Sequence, residues 1–201
     1  AAVIGFSGAP FTLACYLIEG RPSREYAIAK AFMYREPEVW HALMAKLSTV
    51  VTRYLNAQIA AGAQLVQLFD SWVDYDTYVA AHVRSIFASV TGAPTIHFGT
   101  STAALLERLT DAGGDVISVD SRQLLDEAWA RIGFEHGIQG NLDATRLLAG
   151  WEATEEGARD VLRRAGGRPG HVFNLGHGVL PDSDPDLLRR LVELVHTETA
   201  A

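Results

Sequence analysis

Short apolar runs recur along the chain, and each gives way to small or reactive residues. Six of them read as strands: Val3 to Phe6, Leu65 to Phe69, Thr95 to Phe98, Asp115 to Val119, Gly137 to Gln139 and His171 to Leu175. Between them the apolar positions take a helical period. Pro10 to Glu19, Tyr26 to Tyr34, the long amphipathic Glu38 to Ala61, Tyr75 to Val90, Thr102 to Ala112, Leu124 to Ile132, Ala153 to Ala165 and Pro185 to Thr197 are predicted helices. Pro10, Pro37 and Pro185 stand at helix starts, where the missing N–H would have had no partner anyway, and Asp184 is placed to cap the last helix. Arg163 to Gly170 reads as a surface loop.

Strand–helix alternation implies parallel strands joined by right-handed crossovers. The residues that follow the strands carry the polar chemistry: Ser7, Asp70 and Ser71, Gly99 and Thr100, Asp120 and Arg122, Asn141 and Asp143, Asn174 and His177. Chemistry at the carboxyl end of every strand is what a barrel presents, whereas an open doubly wound sheet gathers it at one switch point. The expectation is one α/β domain over residues 1–201, a (β/α)8 TIM-type barrel that is incomplete, with about six of the eight strand–helix units. A strand begins almost at Ala1, so the chain reads as a piece of a longer one.

The composition adds bounds. The 201 residues are 48% hydrophobic and 20% charged, enough for one sizeable core. A net charge of −7 gives no nucleic-acid footprint, and a polyanionic substrate would need arginines placed locally. Cys15 stands alone, which excludes an intrachain disulfide and a Cys-rich zinc site and fits a reducing, cytoplasmic setting. No apolar run reaches the ~18 residues of a membrane helix, and no signal peptide precedes the first strand.

Candidate residues can be weighed on pattern alone. Tyr16 reads as a core tyrosine with a wet tip. His177 lies between Gly176 and Gly178, which lets the backbone approach a ligand closely. His97 reads as a hydrogen-bonded structural histidine, and His41, His82, His136, His171 and His196 as surface or satisfied groups. Asp120 and Arg122 read as a rim salt bridge. Trp40, Tyr54 and Leu55 on the long helix are core or interface candidates. Ser71 lacks a Gly-x-Ser-x-Gly elbow, so a serine-hydrolase role is rejected. Gly113-Gly114 and Gly140-Asn141 lack the spacing of a phosphate loop.

The run Gly5-Phe6-Ser7-Gly8-Ala9-Pro10-Phe11-Thr12-Leu13-Ala14-Cys15-Tyr16-Leu17-Ile18-Glu19-Gly20 resembles the signature segment of the uroporphyrinogen decarboxylase family. Gln67-Leu68-Phe69-Asp70-Ser71-Trp72, His97-Phe98-Gly99, Gln139-Gly140-Asn141-Leu142-Asp143 and Phe173-Asn174-Leu175-Gly176-His177-Gly178 are similar to later motifs of that family, in type and in order. The resemblance implies the barrel's third to eighth strands. It implies a tetrapyrrole substrate whose four acetate side chains lose carbon dioxide, turning uroporphyrinogen III into coproporphyrinogen III in heme biosynthesis. It implies no metal and no organic cofactor, because a protonated pyrrole ring is its own electron sink. A homodimer in full-length form is implied as well, with no membrane or nucleic-acid partner.

By the same resemblance Tyr16, Ser71 and His177 bind or orient the substrate, and Phe6 and Phe69 line the cleft. The family's Arg and Asp fall before Ala1, so no catalytic residue is assigned within this chain. Three departures stand out: Ser121 where the family has Trp after Asp, a short loop after Trp72, and Ala144 in place of Pro. Two other readings compete. A zinc-dependent methyltransferase of the same superfamily needs a His-x-Cys pair, but Gly99 stands two after His97. A non-catalytic barrel remnant is the other, and this segment alone is expected to be unstable or inactive because an open barrel leaves unpaired edges.

Overall fold

The computed structural model describes residues 2–21, 23, 25–71 and 74–200. They form two compact units, one of residues 1–99 with 107–115, the other of residues 100–106 with 116–201. The short loop read after Trp72 falls on residues 72 and 73, outside the described residues.

In the first unit β1 (Ile4–Gly8), β2 (Leu65–Asp70) and β3 (Thr95–Gly99) pair side by side, all parallel. Three successive β2 residues, Val66, Gln67 and Leu68, are buried, as expected of a parallel strand covered on both faces. The helices are α1 (Pro10–Glu19), α2 (Ala27–Arg35), α3 (Pro37–Ala60), α4 (Tyr75–Tyr78), α5 (Ala80–Phe87) and most of α6 (Leu106–Ala112). Phe11, Met33, Trp40, Met44 and Leu55 from the first three pack with Leu68 and Ile86 into one core. Burying each such side chain contributes roughly 1.5–3 kcal/mol. Trp40 keeps its indole N–H satisfied on the Tyr78 carbonyl at 3.2 Å. The helix predicted from Tyr75 to Val90 is two helices, broken at Val79 (φ −126°, ψ −52°). Tyr75, Val79, Val83 and Ile86 keep helical spacing and all stay buried across the break, so the pattern is blind to it. The predicted helix from Thr102 starts as a 3-10 turn at Ala103–Leu105 before α6.

In the second unit β4 (Val116–Ser118), β5 (Gly137–Leu142) and β6 (His171–Leu175) are again parallel. α7 (Leu125–Ile132), α8 (Trp151–Ala165) and α9 (Pro185–Thr199) complete it. Its core gathers Leu106, Ile117, Trp129, Ile138, Leu142 and Leu191. Asp184 caps α9 as the sequence predicts, its carboxylate accepting the Asp186 N–H at 2.8 Å. β5 runs to Leu142, beyond the predicted Gln139, because its polar residues Gln139 and Asn141 are buried rather than exposed. α8 ends at Ala165, as the predicted helix does, on Gly166 in the left-handed region (φ 66°), so of the overlapping loop reading from Arg163 only the part from Gly166 on lies beyond the helix. Arg163 and Arg164 both pair with Asp160 one turn back, and Arg164 also reaches Asp126 at 2.9 Å.

Candidate active site

Parallel register places Phe69 of β2 beside Gly8 of β1 and beside Phe98 of β3. Alternation along β1 then puts Phe6 on the same face as Phe69. The two rings meet edge to face with centroids 5.6 Å apart, and Phe69 meets Phe98 at 5.0 Å. Phe6 is 60% exposed and Phe69 37%. An aromatic row across three strands, exposed at Phe6 and Phe69 and half-buried at Phe98, is a wall for a flat apolar body. Phe98 belongs to it as the in-register neighbour of Phe69 on β3.

Ser71 lies just past β2. Its N–H donates to Asp70 Oδ1 at 2.8 Å, and its hydroxyl lies 3.1 Å from Thr12 Oγ1. Thr12 Oγ1 is also 3.3 Å from the Phe69 carbonyl, so the start of α1 is tied to the end of β2. Tyr16 is 54% exposed. The core reading drawn from its spacing is therefore corrected: α1 buries Phe11, Ala14 and Cys15, and Tyr16 lies off that stripe. Tyr26, which the pattern did not single out, stands near both groups. Its phenol is pushed up chiefly by burial, then by Cys15 and Tyr16, while the Ser71 hydroxyl pulls it down.

His97 is fully buried and hydrogen-bonded at both ring nitrogens, to Asp70 on one side and to backbone carbonyls on the other. Cys15 is 1% exposed, and burial, then Glu19, pushes its thiol up to about 12. Among the described residues no three His, Cys, Asp or Glu side chains gather as a metal site.

In the second unit His177 is exposed in the bend after β6. Gly176 before it donates its N–H to the Leu142 carbonyl at 2.7 Å. Asp120 is buried, and each of its carboxylate oxygens takes a backbone N–H, from Ser101 at 2.6 Å and from Arg122 at 3.0 Å. The Arg122 side chain donates to Ser101 Oγ at 2.6 Å. The predicted rim salt bridge is thus a loop brace: Asp120 and Arg122 meet through Ser101 and the backbone, with the Arg122 guanidinium turned to Ser101 Oγ. Asn141 Nδ2 closes the same brace on the Asp120 and Gln123 carbonyls at 3.0 and 2.7 Å. Tyr16, Ser71, Phe6 and Phe69 therefore belong to the first unit, and His177 to the second.

The family described as Uroporphyrinogen decarboxylase (URO-D) matches residues 1–198. A uroporphyrinogen decarboxylase of Sorangium cellulosum (strain So ce56) is 53% identical over 203 residues, covering 97% of this chain and 58% of the relative. That of Streptomyces coelicolor is 53% identical over 205 residues, covering 98% and 58%. That of Salinispora tropica is 50% identical over 206 residues, covering 98% and 56%. The chain thus spans 56 to 58% of the length of these relatives. Among solved structures, a methyltransferase from Methanosarcina mazei superposes with a TM-score of 0.82 at 19% identity, over 100% of this chain and 60% of that one. At that identity the likeness carries the fold, α/β of the (β/α)8 barrel type, and nothing of the chemistry.

Proposed function

The chain belongs to the uroporphyrinogen decarboxylase family, and from that premise we propose that the whole protein carrying it decarboxylates the four acetate side chains of uroporphyrinogen III to give coproporphyrinogen III. The observation that carries this reading is identity near 50% to curated decarboxylases across almost the entire chain.

The chemistry asks little of a protein. A proton added to a pyrrole ring carbon makes the ring an electron sink. The bond between the acetate methylene and its carboxylate then breaks, carbon dioxide leaves, and the electron pair flows into the ring. A proton delivered to the methylene carbon makes it a methyl group, and the ring carbon then gives up the proton it took, restoring the aromatic pyrrole, so each acetate consumes one proton and releases one carbon dioxide. Positioning, proton supply and electrostatic stabilisation suffice, with no metal or organic cofactor in the scheme.

In this reading Phe6 and Phe69, with Phe98 beside them, form the wall for the macrocycle. Tyr16 and Ser71 donate hydrogen bonds to its carboxylates, and the family resemblance gives His177 a substrate contact as well. Hydrogen bonds to carboxylates are charge-assisted and contribute more than neutral ones, and here they act against a chain net charge of −7. No proton-transfer step is assigned to a residue of this segment. The zinc methyltransferase reading gains nothing from these residues, since both nitrogens of His97 are taken and Gly99 offers no thiolate.

The protein acts in the cytoplasm as a homodimer, and the 201 residues alone are inactive. No helix among the described residues is long and apolar enough to cross a membrane. The test is anaerobic incubation of the whole protein with uroporphyrinogen III. Coproporphyrinogen III is the expected product; its absence, under conditions where the Streptomyces coelicolor relative forms it, overturns the proposal.

A further inference from the structure

Asp70 ends β2 and His97 lies in β3, and their side chains are sealed from solvent, 2% and 0% exposed. His97 pairs in register with Leu68, two residues before Asp70, so the two side chains share a face at diagonal spacing. His97 Nδ1 faces two carbonyl oxygens, Leu109 at 3.2 Å and Gly113 at 3.1 Å. Carbonyls only accept, so Nδ1 carries a proton. Nε2 lies 3.2 Å from Asp70 Oδ2. A ring lone pair facing a carboxylate oxygen would repel it, so a second proton lies between them. On either atom it leaves the pair neutral as a unit, which is how an acid and a base are tolerated in a core.

Hydrogen bonds at both ring nitrogens set the orientation of the ring, and Gly114 and Phe87 pack beside it. A Cβ at Gly114 would stand 3.0 Å from His97 Cβ, and the Phe87 ring centroid is 5.0 Å from the imidazole. Asp70 is therefore held at Oδ2 by a fixed ring, and its other oxygen holds the Ser71 N–H at 2.8 Å. Thr12 sits against the Ser71 hydroxyl at 3.1 Å. The half-buried end of this chain of contacts is Ser71, and its fully buried end is His97.

We propose that the Asp70–His97 pair is a positioning element for Ser71, fixing the strand-end turn so that the Ser71 hydroxyl meets a substrate carboxylate. The inference rests on the reading of Ser71 as a substrate contact given above. Neither Asp70 nor His97 touches substrate in it.

The test compares D70A, D70N, H97Q, S71A and D70A/S71A in the whole protein, by steady-state kinetics with uroporphyrinogen III and by hydrogen exchange at the Ser71 amide. D70A removes the acceptor for that amide, so its exchange accelerates and KM rises about tenfold, with kcat within about threefold of wild type. D70A/S71A is no worse than S71A, because both act on one contact. D70N keeps an acceptor for Ser71 and offers its amide N–H to His97 Nε2, so it stays near wild type in both readouts. H97Q loosens the anchor and raises KM by about threefold with faster exchange.

Additive effects of D70A and S71A overturn the proposal, as does a D70N variant that loses kcat as strongly as D70A, which would make Asp70 a proton carrier. Should D70A fail to fold, unchanged KM and exchange in H97Q overturn it equally. A wild-type protein that forms no coproporphyrinogen refutes the decarboxylase reading; the positioning claim then stands or falls on whether H97Q speeds exchange at Ser71.

Discussion

Gly176 rests directly on the backbone of Ser121: a Cβ at position 176 would collide with the Ser121 nitrogen and stand 2.9 Å from its Cα. The atoms it would meet are main chain, so no rotamer change relieves the clash. Gly176 thus lets the turn after β6 press against the turn after β4, and that closeness sets where His177 emerges. G176A is expected to destabilise by roughly 1–3 kcal/mol, the usual range for overpacking, and to raise KM for uroporphyrinogen by displacing His177. Thermal melts and steady-state kinetics on the whole protein check both. A variant with unchanged melting temperature and KM would mean that the contact is loose.

Tyr26 should matter more to binding than to folding. Its phenol lies among Cys15, Tyr16 and Ser71, and its ring packs edge-on to Phe11 at 6.1 Å. Y26F keeps the ring and removes the hydroxyl beside Ser71. The expected result is an unchanged melting temperature with KM raised by roughly two- to tenfold, the range for one hydrogen bond. A drop in melting temperature without a change in KM would assign the hydroxyl to structure.

Acid should weaken the fold through two histidines. His82 and His171 are both held below the ordinary imidazole value of 6.5. Burial is the larger cause for each; His41 adds to it at His82, while the Gly140 carbonyl opposes it at His171. Each therefore takes up a proton more readily unfolded than folded. Their share of the stability is complete above the ordinary value of 6.5 and is lost as pH falls through it, levelling once the folded form protonates too. His82 Nε2 also lies 2.9 Å from His41 Nδ1, a contact that fails if both rings are charged. Asp126 and Glu155, held low chiefly by hydrogen bonds from Arg164 and Arg159, add to the loss only nearer the carboxylate range. The melting temperature should hold steady from about pH 8 to 7 and decline from about 6.5 to 5, less steeply in H82Q. A melting temperature that rises toward pH 5 would contradict this.

What the sequence made legible follows from where water enters the argument. β6 and α1 agree with their predicted bounds, and Asp184 caps α9, because each depends on local chemistry: an apolar run, a Pro start, an Asp cap. β5 was cut short at Gln139 because burial of Gln139 and Asn141 is a tertiary fact that polarity conceals. Tyr16 misled for the converse reason: an aromatic at helical spacing says core, and only the folded helix shows it turned outward. His97 was readable as structural, but its link to Ser71 through Asp70 joins residues 27 apart in sequence, and no spacing rule reaches across two strands. The 3-10 segment Ala144–Ala149, capped by Asp143 through the Thr145 N–H at 2.9 Å, went unread because a six-residue turn carries too little apolar period to show.

Cys15 should be silent toward thiol reagents while the protein is folded. It sits on the buried stripe of α1, 1% exposed, with its thiol pushed up to about 12 by burial and then by Glu19, against a weaker pull from Lys30. Only the thiolate attacks, and at pH 8 a group with that value is ionised on the order of one part in 10,000. Burial adds a steric barrier, so labelling requires an opening that draws α1, with its Phe11, away from Trp40. Modification of Cys15 by iodoacetamide, read by peptide mass, is expected to reach a rate that no longer rises with reagent concentration and equals the rate of that opening. In denaturant the same cysteine should react in proportion to reagent. Proportional, fast labelling of the native protein would show that α1 leaves its core more readily than its packing implies.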